Sequence, residues 1–175
     1  MADGWLVRTN ADGSIQWQKS FGGTGNDGFK KIIKTLDGNY AAAGWSNSTD
    51  GDISNAHGNY DIWMVKFDGN GSLLKSTCFG GSKNDTLGSF IQLKDQSFMF
   101  TGATTSTNGD LIGNTDTIRK LIWTFRIGTN DQLIWSKTIG NSGGANYGLS
   151  LVPYNNGTIL VNVDPGLYSE MQMIP

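Results

Sequence analysis

The segment Phe21-Gly22-Gly23-Thr24-Gly25-Asn26-Asp27 returns 58 residues later as Phe79-Gly80-Gly81-Ser82-Lys83-Asn84-Asp85. A chain that repeats at such an interval buries the apolar face of each unit against the next, so repetition constrains its fold before any single residue does. The register runs through the whole unit. Trp5 aligns with Trp63, Val7 with Val65, Gly13-Ser14 with Gly71-Ser72 and Ile33 with Ile91. Asp37 aligns with Asp95, Gly44 with Gly102, Ser48-Thr49 with Ser106-Thr107 and Gly51-Asp52 with Gly109-Asp110. With Phe21, Gly22, Gly23, Asn26 and Asp27 these make 16 identities over 58 ungapped positions. They fall on Gly, Asp, Trp and alternating apolar positions, which set backbone shape and core.

A third copy begins at Trp123, 60 residues after Trp63. It keeps Arg126 for Arg8, Leu133 for Ile15, Trp135 for Trp17, Lys137 for Lys19 and Gly140 for Gly22. Asn141 replaces the second glycine and Ala145 replaces the aspartate. The expected units are therefore 5–62, 63–122 and 123–164, followed by a tail, 165–175, that matches nothing upstream.

Each unit is expected to hold four short strands, in the first copy Trp5–Thr9, Ile15–Phe21, Phe29–Thr35 and Tyr40–Trp45. Ile15 and Trp17 alternate with Gln16 and Gln18, the period of two of a half-buried strand. Asn10-Ala11-Asp12-Gly13 and Asp37-Gly38-Asn39 supply turns, since Gly and Asx residues tolerate the backbone that short hairpins need. Glycine is 25 of 175 residues and proline only 3, and no window carries a sustained helical period. The pattern predicts an all-β fold. A polar stretch, Ser46–Ile62, is expected to link one unit to the next.

A net charge of −2 with no basic run leaves nucleic acid without an electrostatic footprint. No stretch approaches the ~18–20 apolar residues of a membrane-spanning helix. The start, Met-Ala-Asp-Gly-Trp, lacks the charged and apolar regions of a signal peptide, so none is expected in this chain. The single cysteine, Cys78, aligns with Ser20 and is expected to be a small buried hydrophobe.

Four strands per unit, a Trp-led strand and a Gly-Gly-x-x-x-Asp segment look like a blade of a β-propeller. The wording resembles a family of repeats from bacterial, especially Bacteroidetes, secreted and surface proteins. The matching residues are Trp63, Val65, Lys66 and Asp68; Ile15, Trp17 and Lys19; Phe21, Gly22, Gly23 and Asp27; Asp37-Gly38-Asn39-Tyr40; and Asp50-Gly51-Asp52. The resemblance covers about residues 5–164. It implies tandem four-stranded propeller-like blades, part of a larger propeller or an open array, in a parent located outside the cell or on its surface. It implies no reaction. In that fold Trp5, Trp63 and Trp123 should be buried at equivalent places in successive sheets, and uncovered end faces should favour self-association.

Asp50, Asp52, Asn55 and Asp61 place oxygen donors in one polar connection, which suits a calcium loop. The competing expectation is a network of Asx turns that orders the loop on its own backbone, with no cofactor at all. Gly22-Gly23-Thr24-Gly25 lacks the Lys-Ser/Thr pair and following helix of a phosphate loop, so it is expected to be a tight turn. Asp27 and Asp85 should cap that turn by accepting backbone N–H groups. His57, the only histidine, is expected to be a solvated loop residue. Trp45 and Tyr60 do not recur, which makes them candidates for stacking on a surface ligand such as a sugar.

These features favour a non-catalytic scaffold or interaction module whose partner is a protein or a glycan. A carbohydrate-binding propeller is the alternative. An extracellular enzyme built on a propeller is the third, and no paired acids, metal-ligand set or cofactor signature recurs to support it.

Overall fold

The computed structural model describes residues 2–140, 147–153 and 159–164, the last group as backbone only. Among them are twelve strands. They are β1 (Gly4–Thr9), β2 (Ile15–Phe21), β3 (Asp27–Lys34), β4 (Tyr40–Ser46), β5 (Asp61–Phe67) and β6 (Leu73–Phe79). They continue as β7 (Asp85–Gln92), β8 (Phe98–Thr104), β9 (Leu121–Ile127), β10 (Leu133–Ile139), β11 (Tyr147–Pro153) and β12 (Ile159–Asp164). Every pair within the sheets is antiparallel. The fold is all-β, and no described helix is long and apolar enough to cross a membrane. The tail 165–175 and the substituted positions Asn141 and Ala145 lie outside the described residues.

The strands fall where the alternation predicts, but the sheets cut across the sequence units. Two four-stranded meanders form, β3-β4-β5-β6 and β7-β8-β9-β10, flanked by the two-stranded pairs β1-β2 and β11-β12; neither meander closes on itself. The connection expected to link units, Ser46–Ile62, instead joins two hydrogen-bonded neighbours, with Ser46 opposite Asp61 and Gly44 opposite Trp63. The short Gly80–Asn84 segment carries the chain from one sheet to the next. A repeat has no intrinsic starting point, so its period does not set which half of a unit pairs with which.

The sheets stack face to face. One core lies between β1-β2 and the first meander, where Leu6 and Phe21 meet Trp63, Val65, Phe67 and Cys78. A second lies between the two meanders, where Ile62, Met64 and Phe79 meet Phe90, Phe100, Trp123 and Phe125. Phe100 stacks on Phe125 at 4.7 Å and Trp123 on Phe125 at 4.1 Å. The leading strands β3, β7 and β11 adjoin in succession. Polar ties bridge the same gaps. Trp17 Nε1 donates to the Gly69 carbonyl at 3.0 Å, and one repeat later Lys75 Nζ donates to the Asn130 carbonyl at 3.1 Å. Asp131, buried in its turn, takes Lys66 at 2.5 Å and Lys75 at 2.9 Å.

Trp63 and Trp123 are fully buried and donate from Nε1 to the hydroxyls of Ser76 and Ser136. Trp5 is not buried: it sits in the half-sheet β1-β2 and is 62% exposed. The expectation of three equivalent buried tryptophans fails at this one position. No sheet among the described residues covers the outer face of β1, and Gln18 stands where the serine acceptors stand in the other copies.

Candidate functional site

The residues that recur most faithfully in the polar loops converge on the Gly-Gly segment. Asp27 Oδ2 accepts the Gly23 N–H at 2.8 Å and the Ser48 hydroxyl at 2.8 Å. In the next copy Asp85 Oδ2 accepts the Gly81 N–H at 2.8 Å and the Ser106 hydroxyl at 2.9 Å. Ser48 Oγ accepts the Gly25 N–H at 2.7 Å, and Ser106 Oγ the Lys83 N–H at 2.9 Å. Asp52 Oδ2 accepts the Gly22 N–H at 3.1 Å and its own N–H returns to the Gly22 carbonyl at 2.9 Å. Asp110 does both to Gly80, at 3.0 and 2.9 Å. Asp50 accepts from Thr24 N at 2.7 Å, and Asn108 from Ser82 N at 2.9 Å.

The long loop is thus a clamp. Asx and Ser side chains supply the acceptors that a non-helical, non-ladder backbone lacks, and each bond formed avoids the penalty of a buried unpaired N–H. Glycine is required at Gly23 and Gly81 by close approach, because a Cβ there would meet the Asp50 and Asn108 carbonyl oxygens at 2.5 Å.

Burial perturbs the carboxyls of this clamp. Desolvation pushes Asp85 up to about 6 against the lowering effect of its Thr104, Gly81 and Ser106 hydrogen bonds. Desolvation also raises Asp61, against the lowering effect of the His57 N–H it accepts, and Asp110, against that of the Gly80 N–H, with the neighbouring His57 ring acting in the same lowering direction on both. His57 is not a solvated loop residue as expected from sequence. Its ring lies between two carboxyls, with Nδ1 3.7 Å from Asp61 and Nε2 3.8 Å from Asp110. Its own N–H donates to Asp61 Oδ2 at 2.6 Å. The loop therefore carries the only histidine into contact with acids of two successive loops. Asp61 lies four residues away in the same connection, but Asp110 belongs to the next copy's loop, and nothing in the sequence brings that acid to His57. Cys78 is fully buried opposite Trp63, and burial pushes its thiol well above its ordinary value.

The four candidate calcium donors are not gathered. Asp50 and Asp52 hold the Gly22–Thr24 backbone, Asn55 donates from Nδ2 to the Cys78 carbonyl at 3.3 Å, and Asp61 turns to His57. Among the described residues no group of three or more His, Cys, Asp or Glu is arranged to hold a metal ion. Trp45 is 40% exposed and lies over Gly28, whose missing side chain makes room for its ring. Tyr60 is half-buried, and its carbonyl accepts the Asp85 N–H at 2.6 Å, a bond that ties one sheet's loop to the next sheet's leading strand. A shallow groove of about 110 Å³ lies elsewhere, lined by Asp37, Asn39, Tyr40, Lys66, Gln92 and Gln96 among others. It is built from the turns of both meanders, so only their stacking brings it together.

No protein-family model matches the chain, and no curated protein matches it.

Proposed function

We propose that this chain is a section of a β-propeller from a bacterial secreted or cell-surface protein, and that it serves as a non-catalytic scaffold for binding a protein or glycan partner. The observation that carries the scaffold reading is the clamp. The polar side chains that recur between copies spend their hydrogen bonds on loop backbone in both copies. Recurrence here maintains shape, which is what a scaffold selects. Two successive four-stranded meanders, stacked face to face with leading strands adjoining, support the propeller arrangement. The resemblance to Bacteroidetes repeat proteins supports the location.

The glycan-binding alternative draws on Trp45, which is 40% exposed and whose ring lies against Gly28. Immobilised glycans separate the two. The scaffold reading expects no retention on any of them. Saturable binding lost in Trp45→Ala would replace it with the glycan-binding one. Turnover of any glycoside, ester or peptide substrate by the pure chain would replace both with the enzyme reading.

A further inference from the structure

We infer that two copies of this 175-residue chain complete each other, the edge of β12 that is unpaired among the described residues of one copy pairing with the same kind of edge of β1 in the other, to give a closed ring of six four-stranded sheets. The inference rests on the propeller arrangement proposed above. In each complete meander the second strand pairs with the third: β4 with β5 and β8 with β9. The pair β1-β2 is the third and fourth strands of such a sheet, and β11-β12 is the first and second. Each half lacks what the other supplies, and the two are not hydrogen-bonded to each other within the chain.

The register can be derived. Gly44 faces Trp63 and Gly102 faces Trp123. The bulge that follows Leu87 in β7 recurs after Gly148 in β11, so Val163, opposite Gly148, occupies the place of Gly102, opposite Leu87. Trp5 then pairs with Val163, Val7 with Val161 and Thr9 with Ile159. All six residues of β1 meet all six of β12, with no overhang.

The exposed apolar residues at the two ends fit the same arrangement. Trp5 is 62% exposed where its counterparts Trp63 and Trp123 are buried by a preceding sheet. Ile139, on the last strand of the second meander, is 55% exposed where its counterparts Phe21 and Phe79 are only 5% and 3% exposed beneath a following sheet. Pairing β1 of one copy with β12 of the other sets the outer face of β1, with Trp5 and Val7, against the face of the second meander that carries Ile139. Each chain contributes three sheets. Two copies of the 175-residue chain therefore supply six sheets, within the about four to eight blades with which propellers close. The contact is head-to-tail, and closure by a two-fold rotation is what prevents it from running on into a fibre.

Sedimentation of the 175-residue chain should show a species of twice the 18.9 kDa chain mass that dissociates on dilution. Trp5→Glu should shift that species to monomer, whereas Ile118→Glu, at a site 92% exposed in the loop before β9, should not. Oxidising a mixture of Val7→Cys and Val161→Cys chains should give a disulfide-linked pair, and the doubly substituted chain should give a doubly linked dimer. Arg8→Cys with Leu160→Cys repeats the test on the other face of the strands, in case sulfur geometry fails on one. A monomer at every concentration overturns the pairing and leaves the propeller arrangement standing. So does an intrachain disulfide in a monomer. A dimer that links at neither position pair, or a ladder of ever-longer linked species, also overturns it. X-ray scattering from the linked dimer tests the other premise: a compact ring supports both, and an extended rod would keep the edge pairing while sinking the propeller arrangement.

Discussion

Asp85 shows how a single buried acid sets a pH response. Its carboxyl titrates at about 6 in the fold against 3.8 when free, because desolvation outweighs its hydrogen bonds. A group raised by folding contributes stability that is full below its unfolded value and is lost as pH rises through its folded one. Two units correspond to about 3 kcal/mol, and the raised values of Asp61 and Asp110 act in the same direction. Urea unfolding should therefore show the protein less stable at pH 7.5 than at pH 4.5. Asp85→Asn, which keeps an acceptor for Gly81, should flatten the difference by about 2 kcal/mol, because pH 4.5 already lies above the unfolded value of 3.8. Stability that climbs over the interval would refute the assignment. A second residue-scale test lies in the turns. Gly38 adopts a φ of 88°, and Gln96 holds the same turn position in the next copy at 69°. A side chain in the left-handed region costs roughly 1–2 kcal/mol, partly offset because glycine loses more freedom on folding. Gln96→Gly should raise the melting temperature, and an unchanged or lower value would show that the Gln96 side chain contributes more than its strain.

At the scale of elements, the clamp explains what sequence could and could not disclose. The strands were legible because alternation and Gly/Asx turns are local signals, and the observed bounds in the first copy differ from the expected ones by at most two residues. Their grouping was not. The long stretch Ser46–Ile62 looks like a linker, and the short Gly-Gly segment looks like a hairpin turn. The reverse holds, because β4 and β5 are joined by backbone pairing and the long loop folds back to hold the Gly-Gly segment. Asp27 and Asp85 were legible as turn caps from their fixed spacing to the glycines. The meeting of His57 with Asp61 and Asp110 was not, since it depends on two loops from different copies. The clamp also predicts a matched pair of losses. Asp52→Ala and Asp110→Ala each strand a glycine N–H, and each should cost about 1–3 kcal/mol, the larger loss falling on Asp110, where Gly80 is buried. Because Asp50, Asp52, Asn55 and Asp61 already serve separate partners, melts in millimolar calcium and in chelator should coincide. A calcium-dependent rise that disappears in Asp52→Ala would make the loop a metal site instead.

At the scale of the whole molecule, protection runs from the middle outwards. β4, β5, β8 and β9 are paired on both edges, and Ala41, Ala43, Phe100 and Phe125 on them are fully buried. Among the described residues β1 and β12, at the two outer ends, are paired on one edge only, as are their partners β2 and β11. Hydrogen exchange in dilute solution should therefore be slowest in Tyr40–Ser46 and Phe98–Thr104 and fastest among the strands in Gly4–Thr9 and Ile159–Asp164, since local opening costs least where contacts are fewest. Self-pairing then makes a distinctive demand on the two fast strands. Raising the concentration to about one hundred times the dissociation constant stabilises the paired state by about 2.7 kcal/mol, close to a hundredfold in exchange rate. That slowing should be concentrated in the outward amides of Gly4–Thr9 and Ile159–Asp164, while the central strands, already protected from both sides, change by far less. A uniform slowing across all twelve strands would mean that association stabilises the fold without using these edges. Protection that grows on β2 or β6 and leaves β1 untouched would place the contact elsewhere.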